Sequence, residues 1–96
     1  HSTAWQDRAK LIDGFEDSRY RELAERLIFA HEVEGISNQS LQRYNSFISQ
    51  RLSDKGPWLN IDNTLSKIEE MLKKEEDKEK KNILYQLEKK LKKMAS

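Results

Sequence analysis

Apolar residues recur every three to four positions along almost the whole chain, which is the period of an α-helix and not that of a β-strand. Proline occurs once and glycine three times, so the chain lacks the frequent turn residues of a many-stranded sandwich or barrel. Ninety-six residues can bury one modest core. These features predict an all-α fold, with residues 1–96 forming one small antiparallel bundle of four to five helices.

The helix bounds follow from the apolar period together with capping and stop signals. We predict helices over residues 3–13, 18–34, 38–53, 61–75 and 78–94. Their apolar stripes are, in chain order, Trp5, Ala9 and Ile12; Tyr20, Leu23, Ala24, Leu27 and Ile28; Leu41, Tyr44, Phe47, Ile48 and Leu52; Leu65, Ile68, Met71 and Leu72; and Ile83, Leu84, Leu87, Leu91 and Met94. Pro57 marks the clearest loop, because proline cannot occupy a helix interior.

The segment from Lys73 to Asn82 contains no apolar residue, which is too long a gap for one continuous buried stripe. Either the chain turns back within this segment, or one long helix crosses solvent there. A helical hairpin buries Leu72 and Ile83 better than a rod does, and Asp77 is a candidate N-cap for the last helix. We therefore favour a hairpin of the last two helices.

The residue content argues against chemistry in this chain. No cysteine is present, which excludes a disulfide, a thiolate zinc site and a cysteine nucleophile. His31 does not share a helix face with Glu32 or Glu34, so these residues have the wrong spacing for a metal site. The other carboxylates alternate with Lys and Arg, as on solvated helix faces. We expect no catalytic residue, no metal and no cofactor, and hence no enzymatic activity in this chain alone.

The longest apolar run, Leu27 to Ala30, is far too short to cross a bilayer, and no secretory signal is recognisable. We expect a cytoplasmic protein without membrane contact. The net charge of +1 combines −3 over residues 1–72 with +4 over residues 73–96. Such a basic segment can meet nucleic acid or an acidic protein partner, but a solvated helix face rich in good helix formers is the favoured interpretation.

The last helix carries the residues that best fit a binding surface. Tyr85 lies about 100° from the buried stripe, so we expect it to be partly exposed among lysines. An apolar spot rimmed by lysines suits an acidic peptide with a hydrophobic end, or a nucleic-acid backbone. The candidate binding residues on this helix are Lys81, Tyr85, Lys89 and Lys92.

Two stretches resemble a known family. Residues 15–29, FEDSRYRELAERLIF, resemble the start of the C-terminal helical region of exonuclease I-like (DEDD-type) 3′→5′ DNA exonucleases, where a Phe-x-Asp-x-Arg segment leads into a helix of the form Glu-Leu-x-x-Arg-Leu. Gly56-Pro57-Trp58-Leu59-Asn60-Ile61, followed by Leu65, Ile68-Glu69, Asp77 and Ile83-Leu84, is similar to the helical hairpin that closes some of these proteins. The resemblance spans most of residues 15–92.

This resemblance implies a non-catalytic accessory segment of a larger protein. The family's nuclease core holds two divalent metals with four acidic residues, and no counterpart of that core is found in this chain. The helical region helps to enclose single-stranded DNA and docks the acidic tail of the single-stranded-DNA-binding protein. Arg19, Arg21 and Arg26 match it as candidate positive groups. Residues 30–35 are acidic here, where the family has an arginine- and aromatic-rich segment ending in proline.

Two other hypotheses stay open. The chain is alternatively a stand-alone helical protein-interaction domain, an adaptor or an inhibitor, with no role in nucleic-acid binding. Self-association through the last helix is a third possibility, because Leu84, Leu87, Leu91 and Met94 have coiled-coil-like spacing.

Overall fold

The computed structural model describes residues 8–29, 36–54 and 56–95, and these residues form helices without a strand. The helices are α1 (residues 8–12), α2 (Ser18–Phe29), α3 (Asn38–Gln50), α4 (Ile61–Lys74) and α5 (Lys78–Ala95). This confirms the predicted all-α bundle. Residues 3–7 and 30–34, which we predicted to be helical, lie outside the described residues.

Local capping groups set most helix starts, as their sequence signals predicted. The Asp17 carboxylate accepts the backbone N–H of Arg19 at the start of α2. Ser37 caps α3 through the N–H of Ser40, and Asn60 caps α4 through the N–H of Asn63.

The predicted end of the third helix at residue 53 was wrong by one turn. The N–H of Arg51 donates to the carbonyl of Ile48, three residues back, so the helix tightens and ends at Gln50. Residues 51–53 form a turn, and the N–H of Asp54 closes it on the Arg51 carbonyl at 3.1 Å.

The last two helices form the predicted hairpin. Helix α4 ends at Lys74 and α5 begins at Lys78, so the turn falls inside the segment that lacks apolar residues. The Asp77 carboxylate caps α5 by accepting the N–H of Lys80 at 2.8 Å. Asn38, at the start of α3, donates its side-chain amide to the same carboxylate at 3.2 Å, which ties the beginnings of α3 and α5 together.

The four long helices follow the order α2, α3, α5, α4 across the bundle. Helix α5 packs between α3 and α4, and α3 packs between α2 and α5. Helices α3 and α5 run parallel, because Asn38 meets Asp77 near their starts and Asn45 meets Gln86 further along. Helix α4 makes the parallel arrangement possible. The chain runs back along α4, and α5 folds onto α4 as an antiparallel hairpin, so α5 again runs in the direction of α3.

A short antiparallel contact ties the end of α1 to the loop before α4. Phe15 and Leu59 form an isolated β-bridge, flanked by bonds from the Glu16 N–H to the Trp58 carbonyl and from the Asn60 N–H to the Gly14 carbonyl. Gly14 is buried at this crossing, and a Cβ there would lie 1.9 Å from Thr64 Oγ1. Only a residue without a side chain fits this close approach.

The core gathers the apolar faces of the helices around a group of aromatic rings. Phe15 is fully buried, with ring centroids of Tyr44, Phe47 and Trp58 at 6.2, 5.8 and 6.2 Å. The Tyr44 hydroxyl donates to the Leu11 carbonyl at 2.8 Å, which satisfies both buried groups.

Some predicted stripe residues face solvent instead. Leu23 is 41% exposed and Leu52 is 44% exposed, and Ala9 is exposed as well, while Leu11 takes the core position on α1. Leu52 follows the end of α3, so it no longer lies on the helical stripe. Within the described residues, no helix combines the length and the apolar content that a membrane span requires.

Candidate functional site

The structure separates the predicted binding residues into two groups on different helices. Arg19, Arg21 and Arg26 lie on α2, whereas Lys81, Tyr85, Lys89 and Lys92 lie on α5. Helix α3 contacts both of these helices, and α2 and α5 share no contact in the described part of the chain. The predicted residues therefore form two separate surfaces.

The first surface, which we term the α5 basic face, consists of Lys81, Tyr85, Lys89 and Lys92. Spacings of four, four and three residues place these side chains on one side of the helix. The opposite side carries the buried residues of α5, which are Ile83, Leu84, Leu87 and Leu91. Tyr85 is 54% exposed, which confirms the prediction that its ring reaches solvent.

The lysines of the α5 basic face differ in their surroundings. Lys89 is exposed and Lys81 is half-buried. The Lys92 ammonium is exposed and lies 3.7 Å from the Glu88 carboxylate, one turn away. A surface ion pair of this kind contributes about 0–1 kcal/mol, so Lys92 can exchange Glu88 for another anion at little cost.

A shallow cavity of about 470 Å³ lies beside Tyr85, between α4 and α5. Leu72 and Lys73 line it from α4, and Tyr85 lines it from α5. Glu69 and Glu88 also line it, so the cavity is mixed in charge.

The arginines of α2 are engaged in different ways. Arg19 donates to both oxygens of the Asp17 carboxylate, at 3.1 and 2.8 Å, and this bidentate pairing lowers the pKa of Asp17 to about 2. Arg21 donates to the Phe15 carbonyl and so holds α2 to the turn after α1. Arg26 is exposed on the outer side of α2, which leaves it as the predicted arginine best placed for an external ligand.

A groove lies between α2 and α3, formed by two adjoining cavities of about 420 and 470 Å³ that share Gln50 and Arg51, and of the predicted arginines Arg19 lines it. We term it the α2–α3 groove. Leu23 and Leu27 line it from α2, and Arg43 and Phe47 line it from α3. Antiparallel packing of the two helices creates it, because Tyr20, near the start of α2, lies against Phe47, near the end of α3.

Arg51 is held in a defined position at the middle of this groove. Its guanidinium carbon lies 3.7 Å from the centroid of the Phe47 ring, and Nη1 donates to the Phe47 carbonyl at 3.1 Å. Asp54 accepts the hydroxyl of Tyr20, and this bond raises the pKa of Tyr20 above its ordinary value. The Asp54 carboxylate, which lines the groove together with Arg51, is thus hydrogen-bonded to a tyrosine.

Our reading of the sequence did not select Arg43 or Arg51, although a signal was present. Helix α3 contains an arginine and no acidic residue from Asn38 to Gln50, in a chain where acidic residues are otherwise frequent. A helix that presents only cationic and neutral polar groups is a candidate surface for anionic ligands.

The described residues do not form a metal site. Among residues 8–29, 36–54 and 56–95, no three His, Asp or Glu side chains converge to hold a metal ion. Asp17 and Asp77 instead cap helices, and Glu70 and Glu88 pair with lysines.

The fully buried leucines of α5 bear on the self-association hypothesis. Leu84, Leu87 and Leu91 are 0% exposed, because α5 packs between α3 and α4 of the same chain. Self-association through this helix stays a prediction, and it would have to use other side chains of α5.

Comparison with protein families identifies the family to which this chain belongs. Neither the curated proteins nor the solved structures contain a significant relative of this chain. The family model of the exonuclease I C-terminal domain matches residues 1–94. This match covers nearly the whole chain and agrees with the resemblance of residues 15–92, so the chain belongs to the exonuclease I C-terminal domain family.

Proposed function

We propose that this chain is a non-catalytic accessory module of an exonuclease-like protein, and that its α5 basic face contacts the backbone of single-stranded DNA. One observation carries the proposal. Tyr85 is exposed on a helix face that also bears Lys81 and Lys89, each one turn away. An exposed aromatic ring between cations can stack on a base while the lysines neutralise phosphates on either side.

The dimensions of the face fit an extended strand. Lys81 and Lys92 are eleven residues apart on α5, which corresponds to about 16 Å along the helix axis. This length spans roughly two to three phosphates of a stretched strand at about 6 Å spacing, as in single-strand binding grooves that hold several nucleotides. The α5 basic face can therefore contribute a short segment of a longer binding path.

An acidic peptide is a weaker candidate for the same face. Its hydrophobic end would enter the cavity beside Tyr85, where its carboxylates would meet Glu69 and Glu88. A phosphate backbone can instead follow Lys81, Lys89 and Lys92 without entering the cavity. The charge of the cavity thus favours nucleic acid over an acidic peptide.

Fluorescence anisotropy with a labelled oligothymidylate, measured over a range of salt concentrations, tests the proposal. We expect log K to fall linearly with log salt, with a slope of about −0.7 for each phosphate contacted. Changing Lys81, Lys89 and Lys92 together to Gln should reduce this slope by about 2. Lys67→Gln is the control, since Lys67 lies on α4 and pairs with Glu70.

Two tyrosine variants separate stacking from charge. Tyr85→Phe keeps the ring and should bind almost as the parent does, whereas Tyr85→Ala should lose about 1–3 kcal/mol of stacking. Absence of binding at low salt, or equal losses with Lys67→Gln and Lys89→Gln, would reject the proposal. In that event, recovery of a protein partner after nuclease treatment would favour a protein-interaction domain without a nucleic-acid role.

A further inference from the structure

The α2–α3 groove has the form of a site for a third helix. Two antiparallel helices line it, and Leu23 and Leu27, one turn apart on α2, contribute its apolar side together with Phe47. Leu23 is 41% exposed and Leu27 is half-buried, so these two side chains present apolar surface to the groove, whereas Phe47 is buried beneath it. Amphipathic helices bind such grooves by placing apolar residues of successive turns along the floor.

The length of the groove sets the length of its occupant. Its lining on α3 runs from Gln39 to Gln50, which is about 16 Å at the helical rise of 1.5 Å per residue. A partner segment of about three to four helical turns covers this distance.

The charged residues that line the groove indicate that its occupant carries negative charge. Among the described residues, the lining of the groove includes Arg43 and Arg51 against Asp54, whose carboxylate accepts the Tyr20 hydroxyl. Arg19 also lines it, but its guanidinium is paired with the Asp17 carboxylate. Helix α3 adds no acidic residue between Asn38 and Gln50. Arg51 is fixed over the Phe47 ring, and its guanidinium carries five N–H donors, so donors beyond the bond to Phe47 are available for a carboxylate.

From these observations we infer that the α2–α3 groove is a second docking site, separate from the α5 basic face, for an acidic amphipathic helix of a partner protein. Apolar residues of that helix would cover Leu23 and the exposed part of Leu27. Glutamates or aspartates on its flanks would meet Arg43 and Arg51. Because α2 and α5 do not touch within the described chain, the module can hold this helix and a DNA strand at the same time.

A designed peptide tests the inference. The probe is a labelled peptide of about 14 residues with leucines at i, i+3/i+4 and i+7 and glutamates at most other positions, and a scrambled peptide of equal composition is its control. We expect saturable binding of the amphipathic peptide and at least about tenfold weaker binding of the scrambled one.

Variants of the chain locate the binding. Arg43→Glu and Leu23→Lys each change an exposed side chain of the groove, and each should weaken peptide binding about tenfold or more. Lys89→Glu is the matched charge reversal on the α5 basic face and should leave peptide binding within about twofold. Arg43→Glu should leave oligothymidylate binding within the same range, which separates this site from the proposed DNA contact.

Several outcomes would overturn the inference. These are no saturable binding of the amphipathic peptide, equal binding of the scrambled peptide, and equal losses with Arg43→Glu and Lys89→Glu. Sedimentation that reveals a dimer abolished by Arg43→Glu would assign the groove to a second copy of this chain, and would likewise overturn it. Circular dichroism of each variant verifies that the helices are intact.

Discussion

Replacing Gly14 by alanine should destabilise the domain through one steric contact. The added Cβ would lie 1.9 Å from Thr64 Oγ1, and 3.3 and 3.4 Å from Thr64 Cβ and the Asn60 carbonyl oxygen. Ordinary contacts begin near 3.5 Å, so the overlap with the hydroxyl is about 1.5 Å, while the other two contacts are only tight. Thr64 is fully buried, and its hydroxyl donates to the Asn60 carbonyl at 2.9 Å. The side chain therefore cannot rotate away without breaking this bond.

The magnitude follows from three contributions. Overpacking of a buried site costs about 1–3 kcal/mol, and loss of the Thr64 hydrogen bond adds about 1 kcal/mol. Alanine also has less conformational freedom than glycine in the unfolded chain, which offsets about 0.4–1 kcal/mol of this destabilisation. The net decrease in the free energy of unfolding is about 2 kcal/mol, which lowers the Tm of a domain of this size by roughly 8–16 °C.

Urea denaturation followed by circular dichroism, in a double-mutant cycle with Thr64→Ala, measures this effect. Thr64→Ala removes Oγ1, so Gly14→Ala should cost much less in that background. Gly56→Ala is the contrasting control, because Gly56 has a φ of 91° and nothing within 4 Å of an added Cβ. Its penalty is backbone strain, and Thr64→Ala should not relieve it. An unchanged midpoint for Gly14→Ala, or an equal penalty in both backgrounds, would refute the steric explanation.

Four further variants address the core, a buried hydrogen bond and a helix cap. Trp58→Ala should lower the free energy of unfolding by about 3–5 kcal/mol. Leu27→Ala should lower it by less, because Leu27 is only half-buried. A larger loss for Leu27→Ala than for Trp58→Ala in urea denaturation would contradict this. Tyr44→Phe should cost about 1–3 kcal/mol, since it leaves the buried Leu11 carbonyl without its partner, and a midpoint equal to that of the parent would count against that bond. Hydrogen bonds from the Lys80 N–H and the Asn38 amide lower the pKa of Asp77, so its stabilisation is present above its unfolded pKa and is lost as pH falls through the folded value. Thermal unfolding of Asp77→Asn should accordingly depend less on pH on the acid side, and parallel profiles for both proteins would argue against this role.

The apolar period and the capping signals were sufficient to predict the hairpin and the residues at which α2, α3, α4 and α5 begin, but not the end of α3. Helix starts depend on bonds between residues two or three positions apart, such as Asp17 to Arg19 and Asp77 to Lys80, and such bonds are legible in a sequence. The exposure of Tyr85 was predictable for the same reason, because its angle from the buried stripe is a property of one helix.

The α2–α3 groove depends on contacts between residues far apart in the chain, and the sequence did not predict it. Leu23 has the spacing of a core residue, yet it is exposed because α3 packs to one side of it. Arg21 looked like a binding residue, and the structure engages it with the Phe15 carbonyl. Neither outcome follows from helical periodicity, which gives the face of a side chain but not the neighbour opposite that face.

An all-α domain with a basic last helix is predictable from the amino-acid sequence, because helix period, capping and charge are local properties. The separation of the predicted cations onto α2 and α5 depends on helix packing, since the order α2, α3, α5, α4 places α3 between them. The need for glycine at position 14 also arises from tertiary structure, because Thr64, fifty residues further along the chain, packs against that position. Long-range packing of this kind is set by how the helices fit together, and no local pattern encodes it.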